Sequence, residues 1–236
     1  MTRAGVRDRN DTRQYDDLAG EWWRPAGAFA ALHWLSVARG ELLPPAPGRD
    51  HVLVDVGCGG GVMAGSVDGY VHVGVDVTMS ALTVASKHGV RTVCADAGYL
   101  PLADSSAAVV VAGEILEHVS DLAAVVSEAC RVLRPGGTIV LDTINATRIA
   151  RFALVTVAER LPGGPPPRIH DPALFVDPDR LRALFARHGV RLQVWGIRPS
   201  VRDYARFLLH RHHPVRMLRT RSVALVYQGL GTKAQP

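Results

Sequence analysis

Apolar and polar positions along the 236-residue chain fall into two regimes. Between His51 and Leu141 short, wholly apolar, β-branched runs alternate with amphipathic stretches. The strands predicted there are His51–Val56, Val71–Val75, Arg91–Cys94, Ala107–Ala112 and Thr138–Leu141. Between them, Gly61 onward can be helical and Ser80–Lys87 reads as a helix. From Ser120 to Leu133 the residues Leu122, Val125, Val126, Ala129, Val132 and Leu133 recur at helical spacing, with Ser120 as N-cap and Arg134-Pro135-Gly136-Gly137 as stop. Strands that are apolar throughout are buried on both faces, which implies an α/β fold with a mostly parallel sheet covered by helices.

Outside that core the pattern changes. A helical, tryptophan-bearing segment runs from about Tyr15 to Leu43, after a loose tail over residues 1–12, and the breaker Pro44-Pro45-Ala46-Pro47-Gly48 closes it. Ala146–Leu161 reads as an amphipathic helix, Gly163–Pro167 as a rigid turn and Asp177–His188 as another helix. Val190–Ile197 and Ser222–Gln228 are the last two strands. These elements make one domain: a helical flap (1–48), a core (49–143), an insertion (144–189) and C-terminal strands (190–236).

Composition changes this picture little. With 47% hydrophobic and 21% charged residues the chain can bury a sizeable core, and its longest apolar runs are far too short for a bilayer. Cys58, Cys94 and Cys130 are odd in number, widely spaced and free of C-x-x-C, so they read as buried thiols in a reducing cytoplasm. The net charge of +5 rests on arginine, since Lys87 and Lys233 are the only lysines; that bias is the codon usage of a GC-rich genome. Arg198, Arg202, Arg206, Arg211, Arg216, Arg219 and Arg221 cluster near the C-terminus with His210, His212 and His213. They can face phosphates or an anionic membrane surface. No stacking aromatics interleave them in the manner of RNA-binding modules, so no nucleic-acid partner is expected.

The chemistry concentrates after the strands. Asp55-Val56-Gly57-Cys58-Gly59-Gly60-Gly61 closes the first strand, and glycines at Gly57, Gly59 and Gly61 let the backbone turn sharply against a ligand. The spacing is not the G-x-G-x-x-G of dinucleotide enzymes, and Asp55 can hold the turn's amides or a ligand ammonium. Asp76, ending the second strand, can accept two ribose hydroxyls; Asp96-Ala97, after the third, can accept an adenine amino proton. Together the acids outline an adenosine with an amino-acid tail at the carboxyl edge of the sheet. Taken singly, Asp76 and Asp96 are also ordinary helix caps, and Asp76 fits NAD equally well. Glu114, Glu117 and His118 follow the fourth strand at i, i+3 and i+4, and converge if they make one helical turn. Such a set suits Mg²⁺ or another divalent cation, cofactor packing, or acid–base work.

VLVDVGCGGG, the acid at Asp76, Asp96-Ala97, LPLADSS and LRPGG, in this order, resemble a class I methyltransferase that uses S-adenosylmethionine (SAM). The resemblance implies a Rossmann-like, seven-stranded sheet with an antiparallel last strand. One departure is visible: Ala107-Ala108 stands where Phe-Asp is usual. Within the superfamily, Trp22-Trp23, Leu32-His33, GEILEHV, LDTIN and His170-Asp171 followed by Phe175 and Pro178 most resemble the O-methyltransferases of ubiquinone biosynthesis. That resemblance associates Glu114, Glu117 and His118 with a divalent cation, and matches Arg39 to an arginine that meets the SAM carboxylate. Without it, Arg39 is an ordinary exposed helix charge.

These readings give an expected O-methyltransferase acting on a phenolic or lipophilic small molecule. Its base is His118, or His170, which is as easily a loop histidine; Glu117 assists, and Asn145 orients the acceptor hydroxyl. The Trp22, Trp23 and Trp34 flap, with Tyr15, Phe29 and His33, either packs on the sheet or shields the cofactor from water. The basic Ala146–Leu161 helix allows peripheral contact with the inner face of a membrane. A sugar or glycolipid hydroxyl is the alternative acceptor, and a SAM-binding scaffold without catalysis the rival from another class. The pattern does not separate a monomer from a homodimer.

Overall fold

A computed structural model describes residues 7–46, 48 and 50–235. The first six residues of the expected tail and Pro47 of the breaker lie outside the described residues. The first half follows the alternation closely: β1 (Val52–Val56), β2 (Val71–Asp76), α3 (Met79–Lys87), β3 (Arg91–Cys94), β4 (Ala107–Gly113), α4 (Leu122–Val132) and β5 (Leu133–Ile144). These strands pair in parallel, and the sheet continues through the antiparallel strands β6 (Val190–Pro199), β7 (Met217–Thr220) and β8 (Val226–Lys233) in the order β3-β2-β1-β4-β5-β8-β6-β7. Residues Ala107–Ala112 of β4 are buried throughout, and α4 lays Leu122, Val125, Val126, Ala129 and Val132 on the sheet. The α4 cap is Asp121, not Ser120: its carboxylate accepts the Ala124 amide at 3.0 Å. No helix of the described residues is long and apolar enough to cross a membrane.

The sheet has eight strands where seven were expected. β6 (Val190–Pro199) carries an extra edge partner, β7 (Met217–Thr220), paired antiparallel from Gly196↔Thr220 to Pro199↔Met217. Its short, arginine-bearing sequence MLRT hides a strand, because charge on an edge strand is tolerated and guards it against foreign pairing. The last strand, β8 (Val226–Lys233), begins four residues later than expected. It is inserted between β5 and β6, where added Cβ atoms on Gly229 and Gly231 would lie 2.8 Å from Leu141 and 2.9 Å from Val190. Packing demands glycine there, whereas glycine in a sequence reads as a strand breaker.

Four predicted elements change form. The segment after Gly61 makes only a 3₁₀ turn, Val62–Ser66. Tyr15–Leu43 divides into α1 (Arg13–Asp17), a 3₁₀ turn at Ala19–Glu21 and α2 (Ala30–Gly40); Pro25 and Gly27 fall in the break. The Arg134–Gly137 stop is absorbed into β5 as a register shift against β4 between Ala107 and Val109. The insertion helix keeps one α-turn, α5 (Arg148–Ala150), then widens into a π-turn over Arg151–Val157 and a 3₁₀ turn at Ala158–Arg160. Beyond it, the helix expected over Asp177–His188 forms as α6 (Pro178–Ala186), with Asp177 as its cap. A further helix, α7 (Val201–Leu209), takes up the basic cluster. There Arg216 pairs with Asp203 at 2.7 Å, Arg219 stands 3.8 Å over the Trp195 ring and Arg211 5.3 Å over Phe207, so part of the cluster is structural.

Candidate active site

The glycine turn sits at the carboxyl end of β1, and all three of its spaced glycines adopt left-handed backbone: φ is 71° at Gly57, 51° at Gly59 and 75° at Gly61. A Cβ on Gly59 would stand 2.4 Å from the Trp22 ring, so the turn must be bare for the N-terminal segment to lie on it. Gly57 and Cys58 donate to the Val75 carbonyl, and Gly59 donates to Asp76 Oδ2 at 2.9 Å. The other Asp76 oxygen accepts the Thr78 amide at 2.8 Å. Burial raises the Asp76 carboxyl above its ordinary pKa, against the pull of these amides. Asp96 accepts the Gly98 amide at 2.7 Å. Both acids therefore do cap their loops, and both also line the cavity above. Asp55 lines it too, with Oδ2 3.3 Å from the buried His72 imidazole.

That cavity has a volume of about 740 Å³. Of the residues expected at the site, Arg39, Asp55, Gly57, Gly59, Asp76, Asp96, Ala97, Glu114, His118 and His170 line it. Gly61 and Glu117 lie behind its wall: Gly61 lets the turn press on Ala85 of α3, 2.9 Å from where its Cβ would be. Asn145 is elsewhere, its amide donating to the Val223 carbonyl at 2.7 Å, and so fastens the chain before β8 and does not face the cavity. Trp22, Phe29 and Tyr15 stack in one pile, with centroids 4.0 Å (Trp22–Phe29) and 5.9 Å (Tyr15–Trp22) apart, and Trp22 lies against the glycine turn. Trp34 lines the same cavity and packs edge-on to Phe207 at 5.0 Å.

Arg39 is not an exposed helix charge. It is 2% exposed, and its Nη1 donates to both oxygens of Asp142, at 2.6 and 2.7 Å, while Nε faces Met63 Sδ. Asp142, fully buried at the end of β5, also accepts the Glu114 amide at 3.1 Å. This pair joins the N-terminal α2 to the centre of the sheet. A Cβ on Gly113 would stand 2.4 Å from the guanidinium carbon, which explains the glycine there.

The acidic–histidine run is a kinked 3₁₀ turn, Leu116–His118, preceded by Glu114 at φ 52°. Glu114 Oε1 and Glu117 Oε1 are both buried with no hydrogen-bond partner among the described residues. Burial and the neighbouring Glu117 and Asp142 push Glu114 well above the carboxylate range, and burial pushes Glu117 up to about 7. Glu114 therefore holds its proton more tightly than a free carboxyl, and Thr143 donates to Glu117 Oε2 at 2.7 Å. His118 turns the other way. Its ring lies 5.1 Å from that of His170, and burial lowers its pKa to about 4, so it is neutral. His170 is likewise held well below its usual value, by burial and by His118. The expected grouping of Glu114 with Glu117 and His118 is rearranged: ligand atoms of Glu117, His118 and His170 all lie within 4.8 Å of one another, and Glu114 is outside that set.

Several residues at the site escaped the sequence reading. Asn10, expected in a loose tail, bonds His118 twice, through Oδ1 to the ring Nδ1 at 2.6 Å and from Nδ2 to the backbone carbonyl at 2.9 Å. Arg9 donates to the His170 carbonyl at 2.9 Å. Asp142 and Thr143 were visible only as part of LDTIN. No local pattern marks any of them, because their partners are remote in sequence.

Comparison with known proteins agrees with the architecture. Residues 54–141 match a methyltransferase domain model. The ubiquinone biosynthesis O-methyltransferase of Coxiella burnetii is 30% identical over 78% of this chain and 83% of its own. The protein of that name from Paracidovorax citrulli is 32% identical over 84% and 89%. Among solved structures, a SAM-dependent methyltransferase of Thermotoga maritima, titled a possible histamine N-methyltransferase, superposes with a TM-score of 0.65 at 18% identity, over 94% of this chain and 97% of that one. Haemonchus contortus phosphoethanolamine N-methyltransferase 2, solved with SAM, gives 0.64 at 14% identity over 98% and 61%. At such identities the structures speak for the fold alone. Identity and coverage of the first two relatives carry the further step: the chain belongs to the ubiquinone biosynthesis O-methyltransferase family and is a SAM-dependent O-methyltransferase.

Proposed function

We propose that the acceptor is a phenolic hydroxyl on a lipophilic small molecule. The observation that carries this is the lining of the cavity. Besides His118 and His170 the wall includes Trp34, Leu35, Leu154, Ile197, Met217 and Val226, apolar surface that suits an aromatic ring and an alkyl tail, and we take these residues as the acceptor lobe. A sugar in that lobe would leave most of its hydroxyls without partners, at a cost of roughly 1–3 kcal/mol each.

SAM, when bound, supplies a methyl carbon activated for in-line transfer. In this reading Asp76 and Asp96 hold its ribose and adenine, and Arg39, whose Nη2 has no partner among the described residues, meets its carboxylate. The Tyr15–Trp22–Phe29 roof excludes water. His118, neutral at pH 7, takes the acceptor proton on Nε2, and the carboxylate of Glu117, within 4.8 Å, balances the charge that arrives. His170 shapes the acceptor side.

A divalent cation fits the donor set: one carboxylate oxygen and two imidazoles close together, with Glu117 Oε1 and His170 Nδ1 buried and lacking partners. Glu117, His118 and His170 would hold it, and it would lower the pKa of an acceptor hydroxyl at the cavity wall. His118 can serve as base or as ligand through Nε2, not both at once.

Peripheral membrane contact belongs to the same reading. The segment that carries Leu154 and Leu161 into the wall exposes Ile149 (64%) and Phe152 (63%) beside Arg148 and Arg151, which suits capture of an acceptor from an anionic bilayer. The decisive experiment is methyl transfer from SAM across phenols with and without alkyl tails and across sugars, with Mg²⁺ or EDTA. Tailed phenols are expected to turn over fastest; preference for sugars overturns the acceptor assignment. An EDTA-insensitive rate removes the metal, and absence of co-sedimentation with anionic vesicles removes the membrane contact.

A further inference from the structure

The N-terminal strap, residues 7–14, is stitched to the insertion across the mouth of the acid–histidine cluster. The Asn10 amide N–H donates to the Arg168 carbonyl at 3.2 Å, and the Gln14 side chain donates to the same carbonyl at 3.1 Å. Arg168 returns a bond from Nε to the Arg7 carbonyl at 2.7 Å. Arg9 reaches Glu159 and the His170 carbonyl, both at 2.9 Å. Two consecutive residues thus grip the two histidines, Arg9 at the His170 backbone and Asn10 at the His118 ring.

The Asn10 contact has chemical content because its orientation is determined. The His118 carbonyl can only accept, so the group facing it at 2.9 Å is the Asn10 NH₂. The Asn10 carbonyl oxygen therefore faces His118 Nδ1 at 2.6 Å, and it too can only accept. The proton of the neutral imidazole consequently sits on Nδ1, the tautomer that free imidazole side chains favour less. Nε2 carries the lone pair; it is not among the buried, partnerless atoms of the described residues, and the ring lines the cavity. With the opposite tautomer Nε2 would present a hydrogen and could neither accept a proton nor bind a cation.

We infer that Asn10 is a positioning residue for methyl transfer, which locks His118 with its bare Nε2 toward the acceptor lobe. A left-handed backbone, φ 61°, aims the amide inward, a conformation that asparagine and glycine tolerate. Asn10→Gly therefore removes the side chain without straining the strap. The kinetic part of this inference rests on the proposed phenolic acceptor with His118 as base; the tautomer is a property of the ligand-free protein.

The test uses the full chain with ¹⁵N-labelled histidine, the His118 ring being assigned by loss of its signals in His118→Gln. Long-range ¹H–¹⁵N spectra of the unaltered protein are expected to show His118 protonated at Nδ1 and bare at Nε2. In Asn10→Gly the proton is expected to move to Nε2, and kcat on the best acceptor to fall on the order of tenfold to a hundredfold, as when the orienting partner of a functional histidine is lost. The Kd for SAM stays within twofold, and Asn10→Asp, which keeps an acceptor at Nδ1, recovers most of the rate. A wild-type His118 protonated at Nε2, an Asn10→Gly kcat within twofold of wild type, an Asn10→Asp enzyme as slow as Asn10→Gly, or parallel loss of SAM binding overturns the inference. If no phenol turns over, the acceptor reading fails while the spectra still decide the tautomer.

Discussion

The two ends of the cavity are held in opposite ways. At the glycine-turn end each acid is anchored by its own neighbourhood: Asp76 takes the amides of Thr78 and Gly59, two and 17 residues away, and Asp96 that of Gly98, two away. At the acid–histidine end His118 is oriented by Asn10, 108 residues away, and His170 by Arg9, 161 away. A site built from loop geometry travels with its motif. A site built from remote contacts exists only when flap, sheet and insertion are all in place, so its residues respond to changes far outside the motif. The Arg39–Asp142 pair is the seam between the two.

The largest effect is expected at that seam. Arg39→Met leaves a fully buried carboxylate unpaired and should cost about 3–5 kcal/mol in chemical denaturation, whereas Arg39→Met with Asp142→Leu should cost far less. A small loss from the single change would mean that the halves are joined by packing alone. Next, Asp76→Ala should weaken SAM binding in calorimetry by roughly 10–100-fold, about 1.5–3 kcal/mol for hydrogen bonds to a charged group. Unchanged affinity would reduce Asp76 to the loop cap it also is.

The smallest effect separates the titrating groups of the remote end. His118 and His170 have depressed pKa values, so their stabilising contribution is complete above the unfolded value near ~6.5 and is lost as pH falls, for His118 through about 4. Glu114 and Glu117 have raised values, so theirs is complete below ~4.3 and is lost as pH rises, for Glu117 through about 7. Between these limits the two pairs oppose each other. Glu117→Gln removes one opposing proton, so in EDTA its stability should climb with pH more steeply than wild type, by roughly 1.4 kcal/mol per pH unit between pH 5 and 6. Urea denaturation at those two values checks it; equal slopes would mean that Glu117 is ionised throughout.

Much of the fold was legible because its signals are local. Apolar strands, the α4 stripe and the Gly57–Gly61 turn each declare themselves within a dozen residues, and they place Asp55, Asp76 and Asp96 at one sheet edge. What was misread involved competition between local and tertiary demands. Gly229 and Gly231 look like breakers yet are required inside β8 by the side chains of Leu141 and Val190. The insertion reads as an amphipathic helix, yet its π-turn is a backbone form that side-chain periodicity does not reveal.

By itself, then, the amino-acid order determined the make-up of the glycine-turn edge, since a left-handed glycine turn and strand-end acids are consequences of short-range sterics and hydrogen bonding. Tertiary structure alone decided how the chemistry beyond it is arranged. It sent Arg39 to Asp142, buried Glu114 near Glu117, set His118 against His170 and brought Asn10 to the imidazole. Those contacts span most of the chain, and a polar group's partner across such distances follows from packing, which no short window of residues encodes.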